Sequence, residues 1–115
     1  MKMTQQIVPI IRGLVWQFPM QLRKDFDSAP SVGAQIFTPK TPHQKLFELL
    51  FSNNSITVAA SPDNAKHFIF TFTLTALQTA IISDDEVLME VVLLGNYPQF
   101  ITRGRLPVWA INYQF

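Results

Sequence analysis

The sequence predicts an all-β fold: one domain over residues 1–115, an antiparallel β-sandwich of about seven to eight strands, with one short helical turn near Thr75–Ile81. Three observations carry this expectation. His67 to Leu74 alternates cleanly, with Phe68, Phe70, Phe72 and Leu74 on one face and His67, Ile69, Thr71 and Thr73 on the other, the two-residue period of an extended chain. Turn chemistry recurs between the apolar runs, at Ser52-Asn53-Asn54-Ser55, Ser61-Pro62-Asp63-Asn64 and Gly95-Asn96, in the manner of a sandwich or barrel. No strand-like run is followed by a helix long enough for the parallel crossover of a βαβ unit, which takes about a dozen residues.

The elements follow in order. Gln5 to Ile11 reads as a short strand confined to an edge, because Pro9 has no N–H to give to a ladder. After Gly13, Leu14, Trp16, Phe18, Met20 and Leu22 form an alternating apolar face opposite Gln17, Gln21 and Arg23, a half-buried antiparallel strand with Pro19 at an edge or bulge. Arg23 to Ser31 is a charged, proline-containing loop, and Val32 to Thr38 a short strand ended by Pro39 and Pro42. The run Leu46 to Phe51 fits helix or strand by pattern. Its position before an Asn-rich turn, with Ile56 and Val58 alternating beyond, favours a β-hairpin. Within Thr75-Ala76-Leu77-Gln78 the spacing is that of a capping box, in which the threonine hydroxyl and the glutamine amide satisfy backbone N–H groups reciprocally. Val87 to Leu94, apolar except for Glu90, is a buried strand. Gly95-Asn96 sets a hairpin turn, and Tyr97 to Arg105 returns antiparallel, with Gly104 at a bulge or bend. Leu106 to Phe115 is the last strand.

Composition narrows the function classes. Apolar residues make up 48% of the chain and charged residues 15%, which excludes a disordered, highly solvated polypeptide. Ten phenylalanines and two tryptophans are a large apolar content for so small a domain. With so few charges, part of the surface is expected to pack against another chain. A net charge of +1 offers no electrostatic case for nucleic acid or an anionic membrane as partner. There is no cysteine, hence no disulfide, thiolate chemistry or cysteine metal site. Pro9 and Arg12 interrupt the apolar run a signal peptide would need, so synthesis and assembly in a cytoplasm are expected. No apolar run reaches the roughly 18–20 residues of a bilayer span.

Candidate chemistry is sparse. Asp84-Asp85-Glu86 is the one acidic cluster, but it lacks the regularly spaced oxygens and glycine of a calcium loop, and it reads as a solvated turn. His43 and His67 lie far apart, with no second histidine at metal-site spacing. No nucleophile elbow, phosphate loop or dinucleotide fingerprint occurs. The chain is therefore expected to be no enzyme and to need no cofactor or metal. Arg103 and Arg105 share a face of their strand and could form a basic contact patch with Lys2 or Arg12, or act as charges guarding an edge. Trp109, Ile111, Tyr113 and Phe115 share a face of the terminal strand, which either closes the core or docks on a neighbouring subunit. These six residues, Arg103, Arg105, Trp109, Ile111, Tyr113 and Phe115, are the candidate partner interface.

In order, the segments Arg12-Gly13, Leu14 to Leu22, Ala34 to Pro39, Ile56 to Val58, Leu74-Thr75-Ala76-Leu77-Gln78-Thr79-Ala80, Leu88 to Val92 and Gly104-Arg105-Leu106-Pro107-Val108 resemble small bacteriophage virion proteins of the tail and baseplate β-sandwich type. The heptapeptide Leu74–Ala80 is the most specific piece. At Asp84-Asp85 the chain departs from the pattern, which commonly has glycine there, and its hairpins hold few glycines. The resemblance implies a structural protein located in the virion, a tail, baseplate or fibre-adaptor module that binds other virion proteins and copies of itself, with no catalytic residues to carry over. Two alternatives stay open. One is a receptor- or carbohydrate-binding sandwich at a fibre tip, for which Tyr97, Phe26 or Trp16 would be the exposed aromatics; the other is a capsid decoration or head protein.

Overall fold

A computed structural model of the chain describes residues 8–23, 31–60, 67–94 and 99–110. These form eight strands and one short helix: β1 (Ile10–Ile11), β2 (Trp16–Arg23), β3 (Val32–Phe37), β4 (Lys45–Leu49), β5 (Ile56–Ala60), β6 (His67–Leu74), α1 (Ala76–Ala80), β7 (Glu86–Leu93) and β8 (Gln99–Trp109). Five strands make one sheet in the order β1-β8-β7-β3-β4, and three make the other in the order β2-β6-β5. The sheets close on one apolar core, so the domain is the β-sandwich expected from the sequence.

The alternating runs supply that core. In β6, Phe68, Phe70, Phe72 and Leu74 are buried while the residues between them are half-buried. From β2 come Trp16, Phe18 and Met20, stacked edge-to-face at Trp16 and Phe18. Across from them lie Val32, Ala34 and Ile36 of β3, Val87, Met89 and Val91 of β7, and Leu106 and Val108 of β8. Pro19 sits on an edge strand as expected, at a position whose missing N–H would point away from β6 by the alternation of the antiparallel ladder.

Several expectations need correction. Leu46–Phe51 does hold a strand, but no hairpin joins it to Ile56–Val58: β4 pairs with β3 and β5 with β6, so the Asn-rich turn carries the chain from one sheet to the other. The turn chemistry itself is present. Asn54 takes φ 64°, the Asn53 side-chain oxygen accepts from Leu50 N–H and Ser55 N–H, and its amide donates to the Glu48 carbonyl. Phe51 then turns inward, its ring edge-on to Phe70, and this apolar anchor is what redirects the chain to the second sheet. Leu14 leaves the strand face and is exposed, because Gly13 turns the chain with φ 86° and β2 begins at Trp16.

The return strand is one continuous β8 rather than two strands. Gly104 lies in register opposite Met89; the irregularity falls instead between Val91 and Val92, whose partners are Thr102 and Phe100. Among the described residues the sandwich also holds one parallel pair, Ile10–Ile11 beside Val108–Trp109. Continued one step back, that register would oppose Pro9 and Pro107, two residues without an N–H, so the ladder starts only beyond them. The expected turns at Ser61–Asn64 and Gly95–Asn96 and the loop following Arg23 fall outside the described residues.

Candidate interaction surfaces

The helical turn and the Arg12-Gly13 turn form one structural unit. Thr75 caps α1: Gln78 N–H donates to its hydroxyl at 3.2 Å, and Thr75 N–H donates to the Gln78 side-chain oxygen at 2.8 Å. One turn on, Thr79 is completely buried. Its hydroxyl accepts from Gly13 N–H at 3.0 Å and donates to the Leu14 carbonyl at 2.8 Å, with the Ala76 carbonyl at 3.1 Å. Beside it, the Arg12 guanidinium donates from Nε to the Ile82 carbonyl and from Nη2 to the Asp84 carbonyl, both at 2.7 Å. Arg12 N–H in turn donates to the Trp109 carbonyl. Helix α1 and the loop after it are thus pinned to the end of the sandwich from two sides.

That anchoring leaves a ridge. Leu77 and Ile81, four residues apart and so neighbours on one helical face, flank Thr79 on the side away from the body. They are 82% and 72% exposed, the most exposed large apolar residues among those described. The sequence reading singled out Thr75 and Gln78 and gave no role to Thr79, Leu77 or Ile81. An apolar i, i+4 pair on the helix face opposite a threonine, Leu77 and Ile81 against Thr79, is the signal that would have found the ridge.

The candidate interface residues fall as follows. Arg103 and Arg105 share the outer face of the five-stranded sheet, as their spacing requires, but they are not a free basic patch. Arg105 donates to Glu86 at 2.8 Å, and Arg103 Nε lies 3.2 Å from a Glu90 oxygen, each pair bridging β8 to β7. Arg12 stands apart from them, bound to the loop after α1, so the expected joint patch with Arg12 does not form. Trp109 is half-buried at the end of β8, opposite Ile11. Ile111, Tyr113, Phe115 and Lys2 lie outside the described residues, as do Tyr97 and Phe26. Trp16, a candidate exposed aromatic for ligand binding, is instead 3% exposed, and its indole N–H donates to the Val8 carbonyl at 2.9 Å. Its place in the alternating face commits the ring to the core.

Polar groups elsewhere are dispersed. His43 Nδ1 lies 2.8 Å from the Thr38 carbonyl, and His67 Nδ1 is buried with no hydrogen-bond partner among the described residues. Among these residues no three His, Asp or Glu side chains converge as metal ligands would. Asp85 is almost fully exposed and Asp84 half-buried, so the acidic cluster is a solvated turn stitched from beneath by Arg12. A pocket of about 140 Å³ on the outer sheet face is lined by Phe37, His43, Leu88, Glu90 and Arg103, below the 300 Å³ or so that small-molecule sites usually offer.

No protein-family model matches the chain, and a search of curated proteins returns no significant match.

Proposed function

We propose that the chain is a non-enzymatic structural and assembly protein of a bacteriophage particle, a tail, baseplate or fibre-adaptor module working through protein–protein contacts. The observation that carries the contact role is the Leu77–Ile81 ridge. Two large apolar side chains held at 82% and 72% exposure on a doubly anchored helix leave apolar area in water that a partner surface would cover. The anchoring by Thr79 and the Thr75–Gln78 box means that little conformational entropy is lost when the ridge docks. The virion assignment comes from the order of the segments and from Leu74–Ala80, the heptapeptide that supplies Leu77 of the ridge and ends just before Ile81. The fibre-tip reading loses one of its three aromatics to the core, since Trp16 is buried.

The test is to band particles from a culture that produces them and to quantify this chain by mass spectrometry against the major capsid protein. A fixed copy number per particle is expected, lost in a Leu77→Lys/Ile81→Lys double variant that is still folded by circular dichroism. Wild-type chain absent from banded particles would defeat the reading. Separating heads from tails before quantification decides between tail module and capsid decoration.

A further inference from the structure

We propose that two copies of this chain pair through the free edge of β5, antiparallel about a two-fold axis at Val58, so that their three-stranded sheets join into one of six strands. The inference rests on the reading above that the chain works through protein–protein contacts, but it uses a different surface, and it takes the second copy from the match of this edge to itself.

Among the described residues the two sheets have four edge strands, β1, β4, β2 and β5, and three carry the features that block edge pairing. β1 is two residues long. β2 holds Pro19, at a position facing away from its neighbour. β4 carries Lys45 and Glu48, joined at 2.8 Å, and its ladder with β3 shifts register at Ile36/Phe37. β5 has none of these. Its sequence, Ile56-Thr57-Val58-Ala59-Ala60, contains no charge, proline or glycine, and its last four residues are exposed. Among the described residues, nothing pairs with its outer side.

The backbone parity of this edge follows from one hydrogen bond. Thr73 N–H donates to the Ser55 carbonyl at 2.8 Å, so Ser55, Thr57 and Ala59 direct their backbone groups at β6. By alternation Ile56, Val58 and Ala60 direct theirs outward. An isologous pair centred on Val58 sets Val58 against Val58 and Ile56 against Ala60 of the other copy, all at hydrogen-bonding positions. Val58 is 38% exposed although it points to the core side, opposite Phe70, and this arrangement covers it. The partner edge is argued by elimination: of the four edges, only another β5 is uncharged, proline-free and long enough to match. A two-fold contact of this kind closes on itself and yields a dimer rather than a fibre.

Sedimentation equilibrium across the micromolar range tests the proposal, with Val58→Pro and Val58→Lys beside wild type. Val58→Pro removes an N–H that points away from β6, so the domain keeps its fold; Val58→Lys brings two ammonium groups into direct opposition across the axis. Wild type is expected to dimerise, and each variant to weaken the dimer by about tenfold or more with an unchanged circular dichroism spectrum. A wild type that stays monomeric, or a Val58→Lys chain that dimerises as wild type does, overturns the proposal. A monomeric wild type that still incorporates into particles through Leu77 and Ile81 would sink the β5 edge alone, whereas a dimer absent from particles would sink the assembly reading alone.

Discussion

The Thr79 hydroxyl and the Gly13 N–H, 66 residues apart in sequence, meet at 3.0 Å inside the protein. This contact joins the two sequence pieces on either side of the three-stranded sheet, the Arg12-Gly13 turn that leads into β2 and the helical turn that leaves β6. Because β2 and β6 are neighbours with Trp16 opposite Leu74, the chain entering one and the chain leaving the other emerge side by side. A short helix with a small hydroxyl on its inner face can then satisfy the backbone groups that the turn exposes.

Replacing Thr79 by valine keeps the shape and removes the hydroxyl. Gly13 N–H and the Leu14 carbonyl would then lose their partner in a partly buried site, at a cost of about 1 kcal/mol. Urea denaturation is expected to show a lowered midpoint at unchanged slope, and Thr79→Ser should recover most of the loss.

Among the described glycines, Gly13 is the one at which conformation decides. At φ 86° an alanine side chain meets the steric penalty of the left-handed region, and Gly13→Ala is expected to cost about 1–2 kcal/mol. Asparagine tolerates that region better, so Gly13→Asn should fall between the two in thermal unfolding.

Gly104 predicts the opposite sign. It sits mid-strand without positive φ, and a side-chain carbon built there meets nothing within 4 Å. Gly104→Ala is expected to stabilise the fold by about 0.5–1 kcal/mol, because it restricts the unfolded chain and meets no obstacle in the folded one. A lower melting temperature for this variant would refute the account.

Arg12 holds the loop after α1 with a fork of donors that lysine cannot reproduce. Arg12→Lys is expected to lose about 1 kcal/mol or somewhat more. The loss should be local: amide exchange in Ile81–Asp85 should quicken while the core of β6 and β7 keeps its protection.

How much of this was legible in the sequence depended on the range of the interaction. The core stripe of β6, the Thr75–Gln78 box, the antiparallel pairing of β7 with its return strand, and the edge-strand place of Pro19 all rest on period, spacing or the chemistry of single residues, and the structure holds them. The strand read as buried over Val87–Leu94 is instead Glu86–Leu93, buried only at alternate residues. The misreadings share one cause. That Leu46–Phe51 and Ile56–Val58 lie in different sheets depends on where Phe51 finds its partner, Phe70. That Arg103 and Arg105 are neutralised depends on Glu90 and Glu86 of the neighbouring strand.

Local patterning, then, determined by itself that this chain is an all-β domain, which faces of its strands are apolar, and where helix α1 begins. Such features need only the period of an extended chain and hydrogen bonds three residues apart. Tertiary structure alone decided the sheet to which each strand belongs, the burial of Thr79 against Gly13, the exposure of Leu77 and Ile81, and the open edge of β5. Each of these is a relation between segments distant in sequence, settled when the two sheets close and some backbone and apolar groups find partners while others are left at the surface.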